Sequence, residues 1–283
     1  MAEKLILLQK SATLAVQEVM IMKPRRHLPS FTLLFPLLVF FLFPMSSFTQ
    51  TLHVMSYNIH HGADRNEVLT IEEIGDFIKK SDVDLVGLQE VDSLCNRSGR
   101  EDQMKRLAEI TGLHYAFVRH FGYDGGAYGL GILSRYPISD IQNHRITSLS
   151  KSGKGSLALL SATLSLPAGK QIRFATVHFA LDQPTRLTQS KETMDFVSGD
   201  LPVILTGDLN AEPGQEEITQ LGKIFAFADP SGPDTYPDHN PEKKIDYILI
   251  SKQHLKKFTT VKAWNDIHYS DHLPLSAVVR LKR

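Results

Sequence analysis

Eight polar residues stand at or just beyond the ends of apolar, strand-like runs, or in the turn before one. Strand-end loops are where α/β proteins present binding and catalytic groups on a rigid scaffold. Each residue taken singly has an ordinary explanation, because Gly, Asp, Asn and Pro are also the usual turn residues. Their joint occurrence in one framework favours a chemical site. The residues are Asn58, Glu90, His178, Asp208, Asn210, Asp246, Asp271 and His272.

The oxygen-bearing members of this set indicate a site for a hard divalent cation. Glu90, Asp208 and Asp271 supply carboxylates, and Asn58 and Asn210 supply amide oxygens. Such ligands suit Mg²⁺, with Mn²⁺ and Ca²⁺ as alternatives. A bound Mg²⁺ can polarise a phosphoryl oxygen and lower the pKa of an attacking water.

The two histidines complement the carboxylates. His178 follows an apolar run and His272 follows Asp271, and an imidazole near neutral pKa can move a proton in either direction. A catalytic histidine needs a partner that fixes its tautomer, usually a carboxylate. Asp246 is the candidate partner, because a lone Asp within the strand-like run KIDYILI is costly unless it is paired.

Alternating strand and helix patterns must position these residues. After residue 50 no linker-like stretch interrupts the pattern, so we predict one domain over residues 51–283. Apolar spacing predicts helices at residues 70–80, 102–111 and 185–197, the last with Leu187, Met194 and Val197 facing inward. Strands are predicted at residues 52–57, 83–88, 130–134, 158–166, 172–177, 203–206, 245–250 and 277–281.

The stretch TGDLNAEP at residues 206–213 follows one of these strands. Alternation along a strand would place Asp208 and Asn210 on the same side and turn Leu209 into the core. We therefore expect the strand to deliver a carboxylate and an amide to the site.

The N-terminus has the order of a secretory signal: a basic segment at residues 23–27, an apolar run at 31–43 and a small, polar exit. A 13-residue helix spans only about 20 Å, short of the ~30 Å hydrocarbon core. We expect export to the periplasm or beyond and assign residues 1–50 to targeting. The alternative is an uncleaved membrane anchor. Residues 1–21 fit no signal, and Met22 would be a better start.

Composition narrows the function classes. Hydrophobic residues make up 42% and charged residues 22% of the 283 residues, which is ordinary for a soluble globular protein with a sizeable core. We expect a monomer. Cys95 is the only cysteine, so no internal disulfide and no structural zinc-thiolate site is expected. Without residues 1–50, 26 Lys and Arg accompany 29 Asp and Glu, a net charge of −3. This charge disfavours tight nucleic-acid binding.

In their order along the chain, these motifs resemble the endonuclease/exonuclease/phosphatase superfamily with the DNase I-like fold. The resemblance covers residue 51 to the end. It rests on SYNI (56–59), LQEV (88–91), GILSRYPI (131–138), TVH (176–178), GDLN (207–210), IDYI (245–248) and SDHLP (270–274).

The resemblance implies a four-layer α/β sandwich, with two facing mixed β-sheets flanked by helices. It also implies roles for the site residues. Glu90 is the principal metal ligand, with Asn58 and Asp271 nearby. Asp208 and Asn210 orient the attacking water and hold the phosphate. Asp246 and His272 act together as base or phosphate-charge stabiliser, and His178 contacts the phosphate and protonates the leaving oxygen.

Sequence stretches outside these motifs are similar to those of a secreted bacterial subgroup of the superfamily. That subgroup is similar to the phosphodiesterase-like domain of proteins linked to GPI-anchor lipid remodelling. Five residues are the candidate substrate contacts: His60, Arg97, Tyr128, Arg186 and Tyr236. His60 stands where several DNA-repair relatives carry an acidic residue, and its alternative role is that of a turn residue. The two arginines would serve as phosphate ligands only if they face the cleft.

We therefore predict a Mg²⁺-dependent hydrolase that cleaves a phosphoester, a phosphodiester in the first place, in a small or lipid-linked substrate by in-line attack of water. A lipid head group is a candidate partner, and a membrane would be met only through that lipid or an uncleaved N-terminus. The alternative is a secreted nuclease acting on DNA or RNA. A catalytically inactive binding module ranks last, because all the carboxylates and histidines are present.

Overall fold

The described residues form twelve strands and four α-helices. The computed structural model describes residues 50–150 and 153–282, so the signal-like segment of residues 1–49 lies outside the described residues. The strands are β1 Thr51–Asn58, β2 Leu85–Ser93, β3 His114–Tyr123, β4 Gly126–Ser134, β5 Ile138–Ser150, β6 Gly153–Ser165, β7 Gln171–His178, β8 Val203–Asp208, β9 Phe225–Phe227, β10 Asp246–Ser251, β11 Leu255–Ala263 and β12 Leu275–Leu281. The helices are α1 Ile71–Lys80, α2 Gln103–Thr111, α3 Gln183–Val197 and α4 Glu216–Leu221.

The strands form two six-stranded mixed sheets of matching design. The first has the order β11-β12-β1-β2-β4-β3, and the second has the order β5-β6-β7-β8-β10-β9. In each sheet one central pair is parallel, β1 with β2 and β7 with β8, and the other pairs are antiparallel. Both parallel pairs therefore present the carboxyl ends of two neighbouring strands, where α/β proteins place their sites.

Three apolar clusters stack the layers. One lies between the sheets and joins residues such as Val54 and Ile132 to Phe174 and Ile248. A second packs α1 and α2 on the outer face of the first sheet, and a third packs α3 and α4 on the outer face of the second. The arrangement confirms the predicted four-layer sandwich with helices outside two facing sheets.

The sheets approach each other closely near the site. A Cβ built on Gly87 of β2 would lie 1.9 Å from Thr206 Oγ1 of β8, so only glycine fits there. Beside it, Gln89 Nε2 donates to Thr176 Oγ1 of β7 at 2.7 Å. This hydrogen bond ties the ends of the two parallel pairs together and fixes the spacing across which the site forms.

Helix α3 has the predicted position but a different inner face. Leu187 and Met194 are only half-buried, and the buried positions other than Val197 are polar or charged. The reason is the neighbour: α3 packs against α4 and β5 through hydrogen bonds, such as Ser190 Oγ to Gln220 Oε1 at 2.6 Å and Gln189 Nε2 to the Thr147 carbonyl at 2.9 Å. Among the described helices, none is both long and apolar enough to cross a membrane.

Candidate active site

Strand register brings the predicted residues together at one edge of both sheets. In the second sheet Asp208 at the end of β8 lies between His178 of β7 and Asp246 of β10. In the first sheet Asn58 ends β1 beside β2, and its amide reaches across to Asp208 Oδ2 at 3.1 Å. The site is therefore built where the two parallel pairs face each other.

A bulge in β2 turns Glu90 toward the site. The register between β2 and β4 shifts between Leu88 and Val91, and Glu90 has a φ of 58°, a left-handed conformation that is strained for a residue with a Cβ. Burial alone would raise the pKa of Glu90, but His178, the Asn58 amide and other histidines outweigh it and hold the pKa below its usual value. Glu90 therefore remains a carboxylate.

Asn58 is a buried hub of hydrogen bonds. Its Nδ2 donates to Glu90 Oε1 at 3.1 Å and to Asp208 Oδ2, while its Oδ1 accepts from the backbone N–H of His60 at 3.1 Å. The amide nitrogen thus holds two carboxylates in place. The amide oxygen accepts one hydrogen bond and has a second lone pair, so the role of Asn58 as a metal ligand stays a prediction.

The Asp246–His272 pair forms as predicted. His272 Nδ1 lies 2.9 Å from Asp246 Oδ2, which also accepts from Thr235 Oγ1 at 2.5 Å. Burial opposes charge on the ring, but Asp246 and Asp208 prevail and raise the pKa of His272 to about 10. The imidazolium form is therefore favoured at neutral pH, with Nε2 lying 3.6 Å from Asp208 Oδ2.

Asp208, Asn210 and His178 form a second group of contacts. His178 Nε2 lies 3.5 Å from Asp208 Oδ2 and 3.1 Å from Asn210 Nδ2. Burial, above all, raises the pKa of Asp208, against the opposing charges of the two histidines. The buried carboxyl of Asp208 thus lies within 3.6 Å of a ring nitrogen of both His178 and His272.

The route by which Asn210 reaches this group differs from the prediction. The strand ends at Asp208, and Asn210 has a left-handed φ of 47° while its backbone N–H donates to Asp208 Oδ1 at 2.9 Å. A turn closed by the aspartate side chain, and not strand alternation, places both groups on one side. Leu209 is fully buried in the outer core, as predicted.

His60 joins the carboxylates at the rim of the site. Its Nδ1 lies 3.5 Å from Asp271 Oδ1 and 3.9 Å from Glu90 Oε2, and its Nε2 lies 3.2 Å from Glu67 Oε1. Each carboxylate thus approaches the imidazole nitrogen, and carboxylate oxygens with an imidazole are ligand types that suit a divalent cation. The Glu67 contact resembles the carboxylate–histidine arrangement that orients metal-binding imidazoles.

Two of the other predicted contacts line the cavity and two do not. Tyr128 and Tyr236 lie on its wall, and the Tyr236 ring is 4.8 Å from the His272 ring. Arg97 instead forms a two-point ion pair with Asp92, at 2.8 and 2.9 Å. This ion pair corrects the expectation that Arg97 contacts substrate, because the Asp92 carboxylate holds the guanidinium beside Tyr128.

Arg186 also lies away from the cavity. Its Nε donates to the buried Glu217 at 2.5 Å, and a second nitrogen donates to the Leu181 carbonyl at 2.5 Å. The expectation of a substrate contact is therefore corrected, because Arg186 forms a buried ion pair that joins α3 to α4.

The cavity that contains the site has a volume of about 600 Å³. Its lining combines the polar residues described above with several apolar side chains. The apolar residues are Phe121, Leu157, Phe179, Ala180, Leu181 and Ile245.

His120 also lines the cavity, and the sequence analysis did not predict it. Its Nδ1 accepts from the Ala158 backbone N–H at 2.7 Å, so the proton of the neutral ring sits on Nε2, which has no partner among the described residues. Burial lowers the pKa of His120 to about 3, so the ring is neutral. It lies within strand β3 and not at a strand end, and only an alternation prediction for β3 would have placed it inward.

Comparison with known proteins decides the family. The family model described as Endonuclease/Exonuclease/phosphatase family matches residues 55–272, which include every residue of the site. The chain belongs to this family. Its members are hydrolases that act on phosphoesters and typically depend on a divalent metal.

Individual proteins extend the comparison. The uncharacterized protein YbhP of Escherichia coli K12 is 27% identical over 246 residues, covering 81% of this chain and 96% of YbhP. The fold is similar to an endonuclease/exonuclease/phosphatase structure from Bacteroides vulgatus, with a TM-score of 0.67, 19% identity and coverage of 82% and 100% of the two chains. It is also similar to Staphylococcus aureus beta toxin with bound magnesium ions, with a TM-score of 0.59, 19% identity and coverage of 81% and 99%.

Proposed function

We propose that this protein is a Mg²⁺-dependent phosphodiesterase that hydrolyses a small or lipid-linked substrate by in-line attack of water. One observation carries the proposal. The carboxylates Glu90 and Asp271 line the same cavity as the Asp208–Asn210 turn and His272, which is paired with the buried Asp246.

The donor set supports the metal. Glu90 Oε2 and Asp271 Oδ1 are the two carboxylate oxygens that would hold Mg²⁺, with His60 Nδ1 beside them. When bound there, Mg²⁺ would neutralise phosphate charge and lower the pKa of a water. The imidazole nitrogen makes Mn²⁺ an acceptable substitute, because nitrogen ligands suit the first-row metals better than Mg²⁺.

Each of the other polar residues has a separate role in the proposed reaction. Asp208, buried and with a raised pKa, is the acceptor for the proton of the attacking water, and Asn210 orients that water and the phosphate. His272, held as an imidazolium by Asp246, stabilises the charge that develops on the phosphoryl oxygens. His178, in contact with both Asp208 and Asn210, is placed to protonate the leaving oxygen.

The walls of the cavity support a small or lipid-linked substrate over a polynucleotide. Lys243 is the single Lys or Arg among the residues that line the cavity, whereas nucleic-acid grooves carry many. Leu181 lines the cavity and is 83% exposed, and Phe121 and Phe179 line the same cavity. Exposed apolar side chains beside the polar residues suit the acyl chains of a lipid substrate.

A substrate panel tests the proposal. The full chain is assayed with Mg²⁺, with Mn²⁺ and with EDTA on bis-p-nitrophenyl phosphate, p-nitrophenyl phosphate, phosphatidylinositol, sphingomyelin and plasmid DNA. We expect diester and lipid turnover with metal and none in EDTA. Asp208→Asn should lower the rate by about 10²–10⁴-fold, the usual value for general acid–base catalysis. His53→Ala, an exposed histidine of β1, serves as the control and should leave the rate unchanged. Turnover of DNA alone, or full activity in EDTA, would contradict the proposal.

We also propose export of the protein, on the strength of the basic and apolar segments at residues 23–43. Cell fractionation with an antibody to the C-terminal domain would check it. A shortened chain in the exported fraction supports a cleaved signal, full-length protein in the membrane fraction supports an anchor, and full-length cytoplasmic protein contradicts both.

A further inference from the structure

A second cluster of metal-binding side chains lies outside the catalytic cavity. It comprises Asp238 in the segment before β10, the neighbouring His239, and His268 in the segment between β11 and β12. One ligand atom from each residue lies within 4.8 Å of the other two. None of the three residues lines the catalytic cavity.

Both imidazoles converge on one carboxylate oxygen. Asp238 Oδ2 lies 2.5 Å from His239 Nδ1 and 3.1 Å from His268 Nδ1. The rings lie 4.1 Å apart between centroids and are tilted by 33°, so they present the same edge to the carboxylate. Ligand atoms on a tetrahedral zinc ion with bonds of about 2.0 Å are separated by about 3.3 Å. The His268–Asp238 separation of 3.1 Å is close to this spacing, whereas the His239–Asp238 separation of 2.5 Å would have to lengthen by a side-chain rotation.

The burial of the three residues differs in a way that suits an ion. The Asp238 side chain is 1% exposed, and its Oδ1 has no hydrogen-bond partner among the described residues. A buried carboxylate with an unpaired oxygen is costly unless a cation or further donors satisfy it. The histidines are 48% and 38% exposed, so an ion can enter from solvent.

The surroundings are also suited to a cation. His239 and Asp238 lie on an open groove that shares Tyr236 and Asp271 with the catalytic cavity. Glu242 and Glu67 contribute two more carboxylates to the groove, and Arg65 is its one Lys or Arg. The groove therefore carries more negative than positive side chains around the cluster.

We propose that Asp238, His239 and His268 form a second metal site that binds a divalent transition-metal ion, with Zn²⁺ as the best match. Two imidazole nitrogens and one carboxylate oxygen are a common zinc set, whereas Mg²⁺ prefers oxygen ligands alone. A water molecule from the groove would fill the fourth position.

The site ties two catalytic segments together. The Asp238 backbone N–H donates to the Asp271 carbonyl at 2.8 Å, and the Leu273 N–H donates to the Thr235 carbonyl at 2.8 Å. An ion bound by Asp238 and His268 would cross-link these same segments through side chains. It would stabilise the placement of Asp271 and His272 without contacting the substrate. The inference concerns metal binding and stability, so it stands independently of the proposed reaction.

Another histidine cluster in the groove must be distinguished from this one. His60 and His61 both contact Glu67, at 3.2 and 2.9 Å, and could also take up zinc. Their shared carboxylate belongs to a side chain that is 68% exposed, so its charge is already hydrated and needs no ion. Glu67→Gln disrupts the cluster of His60, His61 and Glu67 and leaves the Asp238 cluster intact.

Equilibrium dialysis of the full chain against Zn²⁺, with bound zinc measured directly, tests the proposal. The variants are His239→Ala and His268→Ala, with Glu67→Gln and Glu90→Gln as controls for the two neighbouring sites. We expect the wild-type protein and both controls to bind one zinc ion that excess Mg²⁺ does not displace. Each histidine variant should weaken this binding at least about 100-fold, beyond the ~10–100-fold loss typical of an outer partner.

Thermal unfolding provides the second readout. Zn²⁺ should raise the midpoint for the wild-type protein and for Glu90→Gln, and leave it unchanged for His268→Ala. Both histidines are partly exposed, so their variants should fold, and circular dichroism without metal checks this point. Absence of zinc uptake in the wild-type protein, or wild-type uptake in both histidine variants, would overturn the proposal. Loss of uptake in Glu67→Gln or Glu90→Gln alone would also overturn it.

Discussion

Two clusters of this protein combine histidine with aspartate in different surroundings. In the catalytic cluster, Asp208, Asp246 and His272 are all buried, and Thr235 and Asn58 add hydrogen bonds to the carboxylates. In the groove, Asp238 is buried, but its two histidines are partly exposed. Both clusters have ligand atoms close enough for a metal.

The comparison shows that residue type alone does not determine the chemistry. Two buried carboxylates around one imidazole hold a proton, because the negative charges stabilise the imidazolium and no solvent competes. Two partly exposed imidazoles around one buried carboxylate are open to solvent and offer two nitrogen ligands and one oxygen ligand to an ion. We therefore assign proton and charge chemistry to the first cluster and metal binding to the second.

The largest expected effect comes from Asp246→Asn, which removes the charge that holds His272 as an imidazolium. Activity should fall by about 10³–10⁴-fold, the size of effect seen when a catalytic histidine loses its carboxylate. The pKa of His272, about 10 in the wild-type protein, should fall, and NMR titration of the imidazole would measure it. An unchanged His272 pKa would show that Asp246 does not hold the proton on the ring, and the distinction between a proton-holding cluster and a metal-binding cluster would fail.

A second prediction concerns stability against pH in the absence of metal. Neighbouring carboxylates raise the pKa of folded His272 from 6.5 to about 10, so the folded state binds this proton more tightly than the unfolded state. The resulting stabilisation is fully present below pH 6.5 and is lost as the pH rises toward 10. Urea unfolding in EDTA at both ends of this range, for the wild-type protein and His272→Gln, measures it. A difference between the two proteins that does not shrink as the pH rises would refute the prediction.

A smaller effect is expected from Thr235→Val. The variant keeps the shape of the side chain but removes the 2.5 Å hydrogen bond to Asp246 Oδ2. Loss of a buried hydrogen bond to a charged group should lower the free energy of unfolding by about 1.5–3 kcal/mol. The rate should fall by less than for Asp246→Asn, because the carboxylate remains. Chemical denaturation and steady-state kinetics would measure the two effects, and a variant as stable as the wild-type protein would contradict the role given to Thr235.

The smallest effect on catalysis is expected from His268→Ala. With Mg²⁺ present and zinc absent, its rate should stay within about threefold of the wild-type value, because His268 touches none of the catalytic groups. Asp208→Ala should show the reverse pattern, with normal zinc binding and lost activity. If the two variants lose the same property, the clusters are not functionally separate.

The clustering of the candidate site residues could be predicted from the sequence because they follow apolar strands. Glu90, His178, Asp208 and Asp246 all stand at the ends of buried runs, and the strand register brings the last three side by side. The orientation of the Asn58 amide could not be predicted, because it depends on a backbone N–H and on carboxylates from other strands.

The edges of the fold were less predictable. Strands β3, β5, β9 and β11 and helix α4 were not predicted, and β5 and β11 carry many exposed polar residues that weaken the period-two pattern. Arg186 was misassigned because its partner Glu217 lies on the unpredicted α4. The Asp238–His268 contact joins loops 30 positions apart and follows no periodic pattern.

The most direct test of the central claim is a single assay of bis-p-nitrophenyl phosphate hydrolysis in Mg²⁺. It compares the wild-type protein with Asp208→Ala and His268→Ala, each also measured in EDTA. We predict metal-dependent turnover that is lost in Asp208→Ala and kept in His268→Ala. Turnover by Asp208→Ala in Mg²⁺ together with turnover by the wild-type protein in EDTA would contradict this prediction, because the reaction would then need neither the buried carboxylate nor the cation.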